Sequence, residues 1–186
     1  MLFMLLCFSL AAYAVYSARQ TTAAAQGRIY VLDQGNLLAA VSHNVKENRP
    51  VEAQNHVKRF HEFFFTLDPD AKAIEYNVSQ SLFLADESAR RAYENLKESG
   101  YYNDLIQANI SQDIKVDSVR INAARYPYYA KCYAHQQIIR ASNTTSRLLI
   151  SECYLRDVSR SSNNPHGFLM ERWRVVQNND LRTERR

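Results

Sequence analysis

The pattern of apolar residues changes near Asp113, and this change constrains the fold more than any other feature of the chain. Before it, apolar residues recur every three or four positions, as on one face of an α-helix. After it, four strand-like segments are joined by short pieces rich in turn-forming residues. Helices followed by strands with short connections predict an α+β fold, in which a mostly four-stranded antiparallel sheet packs on N-terminal helices.

Pro50 is predicted to open the first long helix, because proline is favoured in the first helical turn. The apolar residues that follow recur at intervals of four, three, four and three: Ala53, Val57, Phe60, Phe64 and Leu67. This stripe predicts core packing, with Phe63 beside it and Phe65 off it. Asp68 and Pro69 are predicted to be the N-cap and the first residue of the next helix.

The helical pattern continues from Ala71 toward Leu96, and its length predicts a break near residues 86–88. Gly100 is predicted to end this stretch, and residues 100–110 to form a short helix or turn under the sheet. Upstream, residues 28–41 carry two short apolar runs. These runs admit either a β-hairpin or a strand leading into a helix.

The predicted strands cover residues 113–122, 126–141, 145–158 and 167–177. In the first of them, Ile114 and Val116 share one face, while Val119 and Ile121 share the other. This change of phase predicts a β-bulge near Asp117. A sheet bent by bulges can wrap around the helices and form a cone with one open face.

Two cysteines, Cys132 and Cys153, fall in neighbouring predicted strands. If Ser142 and Asn143 form a two-residue hairpin loop, the register places these cysteines directly opposite each other. Directly opposed residues form a disulfide only with strained geometry, and a slip of one residue removes the pairing. Buried free thiols are therefore favoured over the disulfide that an oxidising compartment would permit.

Residues 1–18 contain no charged side chain and approach the length of a membrane-spanning helix. They predict a transmembrane anchor, followed by a polar linker at residues 19–27 and a globular domain at residues 28–186. A cleaved signal peptide is the main alternative, because Ala12-Tyr13-Ala14 matches the small-x-small cleavage pattern. A buried terminal helix is a third possibility, disfavoured because the segment is apolar all round. The first two alternatives both send the remainder across the inner membrane.

The chain has a net charge of +4, and much of the excess lies in its last fifteen residues. The arginines there are Arg172, Arg174, Arg182, Arg185 and Arg186. A basic tail without interleaved aromatic residues argues against direct contact with nucleic acid.

The sequence indicates no enzyme, cofactor or metal site, because it lacks a phosphate-binding loop, a dinucleotide fingerprint and a nucleophile elbow. His56 and His61 lie on different faces of one helix, which disfavours a metal pair. The alternative is a secreted cone-fold enzyme or small-ligand binder. In it, His135 with Asp113 or Asp117 would transfer protons inside the cone.

The segment "SSNNPHGF" precedes the last predicted strand and is the most turn-like part of the chain. Pro165 fixes its own φ and has no N–H, and it drives Asn164 toward extended geometry. Gly167 permits a positive φ. These residues predict a stiff corner that leads into Phe168.

The anchor, the helices, the four strands and this Asn-Pro-x-Gly-Phe corner together resemble the VirB-type bitopic inner-membrane subunits of type IV secretion systems. Four segments look more closely like the TraK proteins of Bacteroides-type conjugative transposons: "IYVLDQG", "RPVEAQNHVKRFHEFFFTLDPD", "SGYYNDLI" and "SNNPHGFLMERW". TraK proteins usually carry a basic cytoplasmic stretch before the membrane segment, and this sequence departs from them there.

The resemblance implies a nuclear-transport-factor-like cone in the periplasm and a non-enzymatic role in assembling a DNA-transfer channel. It implies contacts with other channel subunits, self-association, and attachment to the inner membrane through residues 1–18. Asn164, Pro165 and Gly167 match the motif positions, and Phe168 matches the apolar residue that follows. The family links this loop to protein–protein contact, so Gly167→Val is predicted to weaken association more than folding.

Overall fold

The computed structural model describes Tyr13 and residues 28–33, 36–41 and 45–185, and the side chains of Tyr13 and residues 49–185. Apart from Tyr13, the predicted anchor and linker lie outside the described residues. No helix in the described part is long and apolar enough to span a bilayer. The chain divides into two compact units, Met1–Arg49 and Pro50–Arg186.

The first unit contains a β-hairpin. Strands β1 (Arg28–Asp33) and β2 (Asn36–Val41) pair antiparallel, with Asp33 opposite Asn36. Two residues connect the strands, as in the tightest hairpins. The structure thus decides between the two sequence-based alternatives in favour of the hairpin.

Helix α1 (Val45–Phe65) begins five residues before the predicted start, and Pro50 lies inside it. The prediction that Pro50 opens the helix is therefore wrong. A proline this near the N-terminus costs one helical hydrogen bond, but its fixed φ fits a helix. Phe65 lies off the predicted apolar stripe, yet it is buried and its ring lies 6.0 Å from that of Trp173.

The predicted stripe on α1 is confirmed. Four of its members lie on α1 and are almost completely buried, namely Ala53, Val57, Phe60 and Phe64, and the fifth, Leu67, is buried just after the helix ends. Most of them join the main core, where the side chains of α1 meet the inner face of the sheet. Phe60 and Phe64 each lie 5.0 Å from the Trp173 ring, so aromatic packing dominates this contact.

Helix α2 (Ala71–Leu82) starts after the predicted position, because Asp70 is its N-cap and not Asp68. The Asp70 carboxylate accepts a hydrogen bond from the Ala73 N–H at 2.8 Å. Both aspartates flank Pro69, and the cap is decided by which carboxylate reaches the third helical N–H.

The predicted break near residues 86–88 is confirmed, since α2 ends at Leu82 and α3 (Glu87–Glu98) begins after its N-cap, Asp86. Gly100 ends α3 with φ +82°, which glycine adopts without steric cost. Helix α4 (Tyr101–Gln107) then forms as predicted. It packs against α2 and α3, and its Tyr101 hydroxyl donates to Gln112 Oε1 of the following strand at 2.7 Å. A second apolar cluster joins it to α2: Leu67, Ile74, Val78, Tyr102 and Leu105.

The second unit contains one antiparallel sheet in the order β3-β4-β5-β6. The strands are β3 (Ser111–Asn122), β4 (Tyr128–Ile139), β5 (Asn143–Asp157) and β6 (Phe168–Arg185). Strand β6 extends well past the predicted end at residue 177. Four of the arginines predicted to form a basic tail, Arg172, Arg174, Arg182 and Arg185, therefore belong to a strand, because this polar stretch is held by cross-strand pairs such as Thr145–Thr183 at 3.1 Å.

The bulge predicted near Asp117 is confirmed by a register shift between Val116 and Ser118. Three further shifts interrupt the pairing of β5 with β6. Each shift bends a strand and increases its twist, and the inner face of the sheet covers α1.

The two strand cysteines are free thiols and do not face each other. Cys132 lies opposite Ser151, and Cys153 lies opposite Ala130. The predicted direct opposition is wrong because Ile139 pairs with Thr144, which leaves four residues in the loop instead of two. Burial raises the pKa of Cys132 to about 12 and also raises that of Cys153, so both thiols stay protonated and unreactive.

Candidate protein-interaction site

The Asn-Pro-His-Gly corner belongs to the loop between β5 and β6 and folds into a compact, hydrogen-bonded turn. At its base, the Val158 N–H donates to the Gly167 carbonyl at 3.0 Å. Closer to its tip, Ser161 and Asn164 exchange two backbone hydrogen bonds, each of 3.1 Å. The predicted stiff corner is therefore present as a closed loop.

The side-chain amide of Asn164 holds the corner from inside. Its Oδ1 accepts from the Gly167 N–H at 3.1 Å, and its Nδ2 donates to the Phe168 carbonyl at 2.7 Å. Asn164 is only 6% exposed. An amide offers an acceptor and a donor on separate atoms of one short side chain, whereas an ionised aspartate has no donor.

Gly167 has φ +63°, in the left-handed region. A Cβ at this position would lie 2.8 Å from the Val158 carbonyl oxygen and 2.8 Å from Arg160 Cγ. The position thus requires glycine for both its backbone conformation and its surroundings. We therefore expect Gly167→Val to destabilise the fold itself, so this variant cannot separate association from folding as the sequence-based expectation assumed.

The corner is fastened to α1 by polar and ring contacts. Arg160 Nη2 donates to both carboxylate oxygens of Glu52, at 2.9 and 2.8 Å. Asn55 Nδ2 donates to His166 Nε2 at 3.1 Å. The His166 ring also lies 5.9 Å from the ring of His56, edge to face. These contacts hold the loop against the helix.

The four predicted interaction residues differ in accessibility. Asn164, Gly167 and Phe168 are buried, whereas Pro165 is exposed. Phe168 is 0% exposed and packs against His56 at 5.9 Å. The surface presented to solvent is the loop tip: Ser161, Ser162, Asn163 and Pro165. The buried members shape this surface and do not form it.

Sequence reasoning missed the residues of α1 that hold the corner, namely Glu52, Asn55 and His56. They lie more than 100 positions from their partners Arg160 and His166. No periodicity or spacing in the sequence connects the two segments.

Of the two carboxylates predicted as possible proton-transfer partners of His135, only Asp117 lies beside it. His135 Nδ1 lies 2.6 Å from the Asp117 carboxylate, but both side chains are substantially exposed, at 42% and 37%. Asp113 lies opposite Gln137 and not beside His135. The pair sits on the outer face of the sheet, since its β4 neighbours Ala134 and Gln136 are the residues that point inward. Among the described side chains, no cluster of three metal-ligating residues occurs.

The two histidines of α1 are completely buried and structural. His61 Nδ1 donates to the Val57 carbonyl at 2.7 Å, and its Nε2 accepts from Ser151 Oγ at 2.6 Å. Burial lowers the pKa of His61 to about 4, so the ring is neutral at pH 7. His56 Nε2 donates to the Leu84 carbonyl at 3.0 Å. The two rings thus face different partners, as their spacing predicted.

No protein-family model and no curated protein sequence matches the chain. The fold, however, is similar to that of solved proteins of type IV secretion systems. The soluble domain of TrwG from Bartonella grahamii aligns with a TM-score of 0.55 at 16% identity, over 76% of this chain and 98% of that one. An IcmL-like type IV secretion system protein from Legionella pneumophila aligns with a TM-score of 0.55 at 9% identity, over 73% and 94% of the two chains.

A third similar structure is the TraE protein in complex with 2-(2-furyl)isonicotinic acid. It aligns with a TM-score of 0.51 at 11% identity, over 74% of this chain and 99% of that one. At such identities the likeness shows a shared fold. The helices and the four-stranded sheet described above are the common part.

Proposed function

We propose that this chain is a non-enzymatic inner-membrane subunit of a conjugative type IV secretion apparatus and assembles it through contacts of its domain at residues 28–186. The observation that carries this proposal is the extent of the fold likeness. Nearly the whole soluble domain of a TrwG secretion component is matched, at 98% of its length. The Asn-Pro-x-Gly corner of the VirB-type subunits stands at residues 164–167.

Membrane attachment in this proposal is supplied by residues 1–18, and residues 19–27 are the linker to a periplasmic domain. The first segment carries no charge, which supports its role as an anchor. A short tether of this kind keeps the domain near other membrane subunits and raises its effective concentration. The same geometry favours self-association.

The contact surface in this proposal is the tip of the corner, where Pro165 and residues 161–163 are exposed. The buried residues Asn164, Gly167 and Phe168 preorganise it. A surface that is already rigid loses little conformational entropy on docking. The partners are other channel subunits, and the transferred DNA is not contacted directly. At the finest level, the four matching segments favour a TraK-type subunit of a conjugative transposon.

The proposal is tested by deleting the gene in its native donor strain and restoring it with tagged versions of the chain. We expect transfer of the mobile element to be lost on deletion and restored by the wild-type chain. The tagged protein should sediment with inner membranes and co-purify with channel subunits after crosslinking. A protein that stays in the soluble fraction without such partners would overturn the proposal.

The corner is tested with Ser162→Arg and Asn163→Arg, since both side chains are exposed. We expect transfer and co-purification to fall at least tenfold, as a bulky charge blocks docking. The free energy of unfolding should change by no more than about 0.5 kcal/mol, as is typical of surface substitutions. Ala123→Arg, in the exposed loop between β3 and β4, is the matched control and should leave transfer unchanged. Equal transfer in all three variants would exclude the corner as a contact.

A further inference from the structure

A cleft of about 530 Å³ opens between helix α3 and strand β6. Its floor is aromatic and consists of Phe64, Phe65 and Trp173, and apolar side chains of Ala92, Leu96 and Val175 complete it. Pockets that bind ligands usually have volumes of about 300–1,000 Å³ and apolar walls. The size and lining of this cleft fit a large apolar side chain together with part of its backbone.

Two buried polar atoms have no hydrogen-bond partner among the described residues, one in a residue that lines this cleft and one in a residue that lines an adjoining space. Trp173 is 5% exposed, and its Nε1–H is an unpartnered donor. Gln136 is 1% exposed, and its Oε1 is an unpartnered acceptor. Gln136 lines a smaller space of about 80 Å³ that shares Phe64 and Phe65 with the cleft. Leaving such groups unpaired costs about 1–3 kcal/mol each.

The outer edge of β6 is covered up to Trp173 and uncovered beyond it. Up to that residue, the start of α3 covers it: the Arg172 N–H donates to Asp86 Oδ2 at 3.1 Å, and the Trp173 N–H donates to Ser88 Oγ at 2.8 Å. Beyond it, at residues 174–185, the outer backbone edge forms no hydrogen bond to any other described residue. An uncovered strand edge is a template for a further strand.

The charges at the cleft are of one sign. Arg91 and Arg174 line it, and no carboxylate does. Arg174 is engaged by Glu152, whose Oε1 accepts from Arg174 Nε at 2.7 Å. Arg91 is exposed and forms no ion pair within the described residues. Its charge helps to lower the pKa of the nearby Asp86 carboxyl, and its exposed side chain can also meet an incoming anion at the cleft.

We propose that this cleft receives an extended segment of a partner protein, which pairs with the β6 edge beyond Trp173. One large apolar side chain of that segment rests on Phe64, Phe65 and Trp173, and a carboxylate near it faces Arg91. Main-chain hydrogen bonds supply affinity in this mode of binding, while the side-chain pocket and the charge supply specificity. The inference does not depend on the secretion function, because it concerns binding by the purified chain.

The test uses the full-length protein in detergent and a positional library of capped heptapeptides with a fixed phenylalanine in the middle. Trp173 is the only tryptophan of the chain, so its fluorescence reports on occupancy directly. We expect binding to select β-branched residues beside the phenylalanine and aspartate or glutamate within two positions of it. Binding should shift the Trp173 emission. A library in which no pool changes that emission would overturn the proposal.

Charge reversal sharpens the test. Arg91→Glu should weaken the best acidic peptide roughly tenfold, and replacing its aspartate by lysine should restore binding to this variant. Arg90→Glu is the matched control, because Arg90 is the exposed neighbour on the same helix and lies beside Glu87 and outside the cleft. Ala92→Phe, which fills the cleft, should abolish binding. Equal weakening by the substitutions at 90 and 91 would refute a specific role for Arg91.

Two further probes separate strand addition from other modes. Heptapeptides N-methylated at alternate positions should bind at least tenfold more weakly, because they cannot complete the ladder. N-acetylphenylalanine, a small carboxylate, should bind far more weakly than the best heptapeptide. If it binds equally well, the cleft is a small-molecule site and the proposal of a partner strand is wrong.

Discussion

Two neighbouring parts of strand β6 are built differently: its start at the corner, here called the closed end, and the stretch from Trp173 to Asn178, here called the open end. At its start, the corner residues Asn164 and Gly167 are bonded to their neighbours, and Phe168 is completely buried. A few residues later, the same strand lines an open cleft, where Trp173 keeps an unpartnered Nε1–H. The buried polar groups of the closed end are hydrogen-bonded, whereas the open end keeps a buried donor without a partner.

This difference separates two kinds of surface. A rigid corner presents a fixed shape to a partner without rearranging, and changes to its buried residues act first on folding. An incomplete cleft gains by being filled, so changes there act first on binding. Four measurements of stability test whether the two ends of β6 obey this division.

The largest effect is expected at the closed end, for Phe168→Ala. Its side chain is 0% exposed and belongs to the main core. Truncating a buried phenylalanine leaves a cavity and costs about 3–5 kcal/mol. Denaturant unfolding followed by circular dichroism measures this loss. A loss below 1 kcal/mol would show that the corner is not fastened to the core as described.

A pH titration probes the core beneath the cleft, through His61, whose ring lies 6.2 Å from that of Trp173. The pKa of His61 is about 4 in the folded chain and 6.5 for an ordinary histidine, so between these values the unfolded chain binds a proton that the folded chain does not. Stability is therefore complete above about pH 6.5 and falls as the pH drops toward 4, by roughly 3 kcal/mol in all. Denaturant midpoints at several pH values give this slope.

The control for the titration is His61→Asn, which removes the titrating ring and keeps a donor near the Val57 carbonyl. We expect this variant to be less stable at pH 7 and to lose less stability on acidification. An unchanged slope would mean that another group carries the pH dependence.

A smaller loss is expected for Asn164→Ala, which removes both hydrogen bonds of the amide. The Gly167 N–H and the Phe168 carbonyl would lose these bonds at a buried site, at a cost of about 1–3 kcal/mol. The neighbouring exposed residue provides the control, since Asn163→Ala should change stability by less than about 0.5 kcal/mol. Equal effects at the two positions would show that the Asn164 amide does not hold the corner together.

The smallest effect is expected at the open end, for Trp173→Phe. The smaller ring loses contact area with Phe60 and Phe64, but it also removes a buried donor that has no partner. The two terms oppose each other, and we expect a net change within about 1 kcal/mol. A loss comparable to that of Phe168→Ala would show that the cleft is as closed as the corner.

The features predicted correctly from the sequence are those governed by neighbours in the chain. The apolar stripe of α1 follows from the helical period, and the bulge near Asp117 follows from a change in strand phase. The helix break at Asp86 and the stiff corner at Pro165 follow from capping and from restricted backbone angles. Each of these needs only a few adjacent residues to be recognised.

The sequence by itself therefore determined the fold class, the order of the elements and the place of the corner. Only the tertiary structure decided which aspartate caps α2, the four-residue loop that separates Cys132 from Cys153 in register, and the extension of β6 to Arg185. It alone brought Asn55 against His166, 111 positions away. The physical reason is that such contacts depend on packing between distant segments, whose energies exceed local preferences and leave no periodic trace in the chain.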